Sequence, residues 1–194
     1  MVAVCRRRGC CGGTGLLVLV MDPSSETRLS LVNPQLARKI RAEATLLADE
    51  GIDIRVTRGL ASWNDQQKIW LQGRDQTGKV IDPLKIVTNA PPGHSWHNFG
   101  MAVDVAPFDA QGKPEWKLDD PIWGPVWRRI IALGESLGMY SGDEFVHCPK
   151  DDPHFQLTGT FPVSPNDEAR SVFLNAGMSC LWIEAGLFDT GSTT

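Results

Sequence analysis

The sequence predicts an α+β domain, a small antiparallel sheet flanked by helices. Three observations carry this. Leu36, Ile40, Ala44 and Leu47 recur at helical spacing. Two short segments, 52–57 and 101–106, alternate with the period of a strand. Strands are few and irregularly interleaved with helices, which does not fit a doubly wound sheet.

The elements follow in chain order. Asn33-Pro34 is an N-cap followed by proline at the first helical position, and Gly51 closes that helix. Ile52, Ile54 and Val56 alternate with Asp53, Arg55 and Thr57, as in a half-buried strand. Ser62 with Asp65 forms a capping-box pattern opening a helix that ends near Leu71. Residues 73–93 read as loop, with a short strand at 86–88. A strand over 101–106 is ended by Pro107, and a helix over 125–137 by Gly138. A short strand covers 155–157, and a last helix starts at 164–167 and ends near Asn175. Trp63, Trp70, Trp123 and Trp127 are expected in the core; Trp96 fits either core or the wall of a groove.

At 194 residues the chain holds one domain with short appendages. Residues 1–30 form an N-terminal extension, 31–162 the domain, and 163–194 a C-terminal helix and tail. Arg6, Arg7 and Arg8 followed by the apolar run 16–20 resemble a signal peptide, but the run is short and no small-residue cleavage site follows. A start at Met21 is the alternative, and a chain beginning there is expected to fold. The 19 Lys and Arg against 23 Asp and Glu give a net charge of −4, so no basic field for nucleic acid is present. No apolar run reaches the roughly 18 residues of a membrane span. Of five cysteines, Cys5, Cys10 and Cys11 fall in the extension; Cys148 and Cys180 are read as half-buried free thiols. With no CxxC pair, a thiolate zinc site is not expected.

The chemistry concentrates in two segments. On the strand 101–106, Ala102, Asp104 and Ala106 share one face, which sets a carboxylate between two small residues. A half-buried carboxylate needs a partner. His97 lies an odd seven residues earlier, and a turn or bulge at 98–100 brings it back toward Asp104. The second segment is Asp151-Asp152-Pro153-His154-Phe155-Gln156. Pro153 holds Asp152 extended, so a turn near 151 swings Asp151 to the side of His154. Two histidines and a carboxylate with an open fourth position make a catalytic zinc arrangement, and a further carboxylate supplies a base. On spacing alone, histidines with purely structural roles remain the alternative.

The pattern SxHxxGxAxD at 95–104, with DxxHF at 151–155, resembles the zinc peptidases that include D-alanyl-D-alanine carboxypeptidases and dipeptidases and L-alanyl-D-glutamate endopeptidases of phage endolysins. Thr57-Arg58-Gly59 with Gln66 or Gln67 is similar to the family's upstream arginine segment, and Asn89-Ala90 to its endopeptidase branch. The resemblance covers about residues 32–160. It implies that His97, Asp104 and His154 bind Zn2+, that Asp151 is the general base, and that Arg58 holds the scissile carbonyl and its oxyanion. It also implies a substrate contact for Gln66, and for Ser95 the orientation of the substrate or of the motif backbone. The substrate would be a peptidoglycan stem peptide, cut by a monomer acting on the cell envelope after release from the cytoplasm or after export. L-alanyl-D-glutamate cleavage is the first expectation; D-Ala-D-Ala cleavage and a non-catalytic zinc-binding module are the alternatives. One departure stands out: residues 139–145 replace a Trp-Gly-Gly-Asp-Trp-like stretch of the endopeptidase branch. His94 and His147 are expected to be loop residues outside the metal set.

Overall fold

The structure is a computed structural model that describes residues 21–146 and 151–188. Among these residues, five helices accompany a four-stranded antiparallel sheet: α1 (Pro23–Leu29), α2 (Pro34–Asp49), β1 (Asp53–Arg58), α3 (Trp63–Trp70), β2 (Ala102–Phe108), α4 (Trp123–Ser136), β3 (Tyr140–Gly142), β4 (Asp151–Gln156) and α5 (Asp167–Glu184). The sheet order is β1-β2-β4-β3. No helix among the described residues is long and apolar enough to cross a membrane.

The helix starts follow their caps. Asn33 accepts from the backbone N–H groups of Gln35 and Leu36, and Ser62 from that of Asp65. Leu36, Ile40, Ala44 and Leu47 of α2 are buried against the core together with Ile54 and Val56 of β1. Residues 21–29, which the sequence leaves outside the domain, pack into the same core. Asp22 caps α1, and Met21 and Leu29 are buried. The signal was the Asp22-Pro23 pair, which repeats the cap pattern of Asn33-Pro34.

Several elements differ from expectation. Strand β2 runs through Pro107, which pairs with Ile54. Pairing with β4 stops at Asp104, so β2 is an edge on that side from Val105 onward, where proline is tolerated. Residues 86–88 form no strand; a short 3₁₀ turn (Pro83–Lys85) precedes them. Helix α5 continues past Asn175 with a kink at Gly177. Strand β4 begins at Asp151 rather than 155. Of the four tryptophans assigned to the core, only Trp127 is fully buried; Trp63, Trp70 and Trp123 are half-buried. Trp96 is core. Cys180 is a free thiol but exposed rather than half-buried. Cys148, His147 and the first 20 residues lie outside the described residues.

Two irregularities in pairing position the site. Between β1 and β2 the register runs from Asp53 opposite Phe108 to Val56 opposite Val105, then resumes with Arg58 opposite Asp104. Thr57 is therefore an extra residue, a β-bulge. Between β3 and β4, Ser141 lies opposite Phe155 but Gly142 opposite Asp151, so residues 152–154 have no partner on β3.

Candidate active site

Strand β2 carries the centre of the site. Cross-strand neighbours share a face, so the row Arg58–Asp104–His154 projects from one side of three adjacent strands. The bulge at Thr57 makes this row. An unbroken register would set Thr57 opposite Asp104 and turn Arg58 to the other face.

His97 joins the row from a 3₁₀ turn (Trp96–Phe99), which Gly100 ends at φ 62°. A side chain there faces a left-handed backbone penalty and contact at about 3.1 Å with Met178 and Trp182. Trp182 of α5 donates its indole N–H to the Phe99 carbonyl. Asn98 accepts from the Gly93 N–H and donates to the Ala61 carbonyl. The turn is thus braced from three directions.

The ligand atoms of His97, Asp104 and His154 lie within 4.8 Å of one another. His97 Nε2 is 3.0 Å from Asp104 Oδ1 and 3.2 Å from His154 Nδ1, and His154 Nδ1 is 3.3 Å from the same oxygen. The outer ring nitrogens fix the tautomers. His97 Nδ1 lies 2.9 Å from the Gly59 carbonyl, which can only accept. His154 Nε2 lies 2.9 Å from Gln156 Oε1, whose amide nitrogen donates to the Val163 carbonyl. With a cation bound among the inner atoms, each outer nitrogen would carry the ring's proton and each neutral ring would turn a lone pair inward. Two ring nitrogens and a carboxylate oxygen thus converge on one point, where a cation would be held by all three; without one, the imidazoles pair directly with the carboxylate. Burial alone would raise the Asp104 carboxyl, but the two imidazoles overcome it and hold the group well below the carboxylate range. Burial would lower His154; the hydrogen bond and charge of Asp104 raise it instead. Two imidazoles and one carboxylate, each ring oriented by an outer acceptor, fit Zn2+.

A cavity of about 560 Å³ opens over this cluster. Arg58, Asp151, Ser95, His97 and His154 all line it. Burial raises the Asp151 carboxyl and Asp104 raises it further, against the pull of the imidazoles and Arg58. Asp152 lies elsewhere: it lines a separate cavity of about 310 Å³ with Arg128, Glu135 and Asp143. Gly142 permits the close pairing at Asp151, since a Cβ there would sit 2.1 Å from the Asp151 carbonyl oxygen. Ser95 is half-buried at the cavity edge, at the start of the His97 turn. His94 also lines the cavity but stands outside the ligand cluster, with Arg170 at 3.4 Å; burial and that arginine lower its pKa.

Gln66 is fully buried, and both of its polar atoms are engaged. It accepts from Arg58 Nη2 at 2.7 Å and donates to the Ala90 carbonyl at 2.7 Å. Its contacts in the structure are with Arg58 and the Ala90 backbone.

A family model described as D-alanyl-D-alanine carboxypeptidase matches residues 29–120, and a second of the same description matches 88–157. The peptidoglycan L-alanyl-D-glutamate endopeptidase CwlK of Bacillus subtilis is 28% identical over 129 residues, 65% of this chain and 73% of that protein. Among solved structures, the L-Ala D-Glu endopeptidase ChiX of Serratia marcescens is 28% identical over 73% of this chain and 92% of its own, at a TM-score of 0.48. The vancomycin-resistance D,D-pentapeptidase VanY, in complex with Zn(II), is 16% identical over 79% of this chain and 83% of its own, also at 0.48. The two models together run from residue 29 to residue 157, through the bulge, the histidine turn and β4, and over that span the chain is similar to the D-alanyl-D-alanine carboxypeptidases they describe and to the L-alanyl-D-glutamate endopeptidase CwlK.

Proposed function

We propose that this protein is a zinc peptidase of the cell envelope that hydrolyses peptidoglycan stem peptides, cutting between L-alanine and D-glutamate. The observation that carries the reading is the convergence of His97, Asp104 and His154 beneath a cavity that also holds Arg58 and Asp151. The CwlK relative, an L-alanyl-D-glutamate endopeptidase, supports the choice of bond. The family models' description supports D-Ala-D-Ala cleavage as the second reading.

In this reading His97, Asp104 and His154 hold the ion. Bound zinc supplies Lewis acidity and brings the pKa of water near 7. Asp151 takes the proton of the attacking water and passes it to the leaving amine. Arg58 holds the scissile carbonyl and stabilises the charge that develops on its oxygen; a permanent cation with a fixed donor fork suits this. Ser95 orients the peptide at the cavity edge.

The test is digestion of purified peptidoglycan, with new termini mapped by mass spectrometry. Endopeptidase cleavage exposes the carboxyl group of L-alanine and the amine of D-glutamate. Release of free D-alanine instead establishes the second reading. Intact peptides from zinc-loaded protein defeat both.

A further inference from the structure

We infer that Gln66 is a positioning residue for Arg58, and that its being an uncharged acceptor matters as much as its reach. The inference rests on the role of Arg58 proposed above. Arg58 stands opposite Asp104, and Asp151 shares its cavity. Two carboxylates therefore compete to draw the guanidinium into an ion pair, away from a carbonyl oxygen. The partner seen in the structure is neither: Arg58 Nη2 donates to Gln66 Oε1 at 2.7 Å. The same amide is anchored by its nitrogen to the Ala90 carbonyl at 2.7 Å, which fixes which end faces Arg58.

Three consequences follow from these contacts. The guanidinium is held on one edge, so its other N–H groups keep one direction. Its positive charge stays whole, because an amide orients without neutralising. Arg58 is also tied through one side chain to Ala90, the end of a cavity-lining run from Ile86 to Ala90. Arg74 holds the same run from α3's end, donating to the Thr88 carbonyl at 2.9 Å and to Asn89 Oδ1 at 3.0 Å. The wall of the cavity and the cation inside it thus share one support.

Two substitutions separate holding from charge. Gln66→Met keeps the shape and removes both hydrogen bonds. Gln66→Glu keeps an acceptor for Arg58 but adds a charge. The first measurement is ¹⁵N NMR of arginine side chains on the zinc-loaded protein, which needs no substrate. Restricted rotation of the Arg58 guanidinium is expected in wild type and Gln66→Glu, and free rotation in Gln66→Met. Free rotation in wild type, or restriction retained in Gln66→Met, overturns the inference whether or not stem peptides are cleaved.

The second measurement is turnover with unchanged zinc content. Both variants are expected to lose roughly 10–100-fold in kcat, the scale of a misplaced catalytic group, with KM less affected. In an Arg58→Ala background, Gln66→Met is expected to add no further loss, since its effect passes through Arg58. A purely structural role predicts additive losses. Wild-type turnover in Gln66→Glu would overturn the requirement for a neutral partner.

Discussion

Arg58 lies directly opposite Asp104 across β1 and β2, and the extra residue at Thr57 puts it there. The bulge turns a side chain that simple alternation aims at one face onto the face of Asp104 and His154. Arg58→Ala is expected to retain fold and zinc while kcat/KM falls by about 10²–10³, the loss typical of removing one oxyanion donor. Arg58→Lys should recover only part of it, because a point charge lacks the donor fork that Gln66 engages. Steady-state kinetics beside metal analysis check this. Wild-type rates in Arg58→Ala would remove the arginine from the mechanism.

Zinc content tests the ligand set directly. The purified protein is expected to bind about one ion, and His97→Ala, Asp104→Ala and His154→Ala each to lose it. Because a bound ion would tie together a turn and two strands, chelation should also lower the melting temperature measurably. Full occupancy in His154→Ala would contradict the assignment.

Neighbouring residues Asp151 and Asp152 line different cavities, which gives the base its own control. Asp151→Asn is expected to keep zinc and lose roughly 10²–10⁴-fold in turnover, the usual share of acid–base catalysis. Asp152→Asn should turn over at near the wild-type rate. Equal losses at both positions would show that the base is misplaced.

Gly142 offers a test of backbone placement. A Cβ there would lie 2.1 Å from the Asp151 carbonyl oxygen, so Gly142→Ala must push β3 and β4 apart at that pair. The expected result is a fall in kcat with zinc retained, since His154 pairs with β2 and not β3. Loss of zinc along with activity would mean that the strain spreads to the ligands.

Stability should depend on pH through Glu43. Its carboxylate is fully buried in α2 with no hydrogen-bond partner among the described residues, and burial pushes it up to about 8 from an ordinary 4.5. Between those values the unfolded chain has released this proton and the folded chain has kept it. Folding stability from this group therefore falls as pH rises through that window and levels off above about 8. Glu43→Gln is expected to flatten that slope in thermal melts from pH 5 to 9. An unchanged slope would assign the dependence to other groups.

Much of the site was legible because it follows strand alternation and local turns. Asp104 between Ala102 and Ala106 announced a polar position on a buried strand, and 98–100 announced the turn that returns His97. The bulge was not legible, since Thr57 continues a regular alternation and only pairing with β2 reveals the extra residue. The bond from Arg58 to Gln66 was not legible either: the family resemblance drew attention to Gln66 but shows neither its burial nor its partner. Pro107 was read as a stop because a proline's cost depends on whether a neighbouring strand needs its N–H, a fact of sheet order.

The three converging donors come from separate parts of the chain: a turn at 97, a strand at 104 and a strand at 154. His154 meets the others only when β4 has docked beside β2. A nascent chain still lacking β4 carries at most two of the three groups, and a misfolded one holds them apart. The convergence of the three donors is therefore a product of the sheet as a whole, completed only once β4 has been made and has paired with β2.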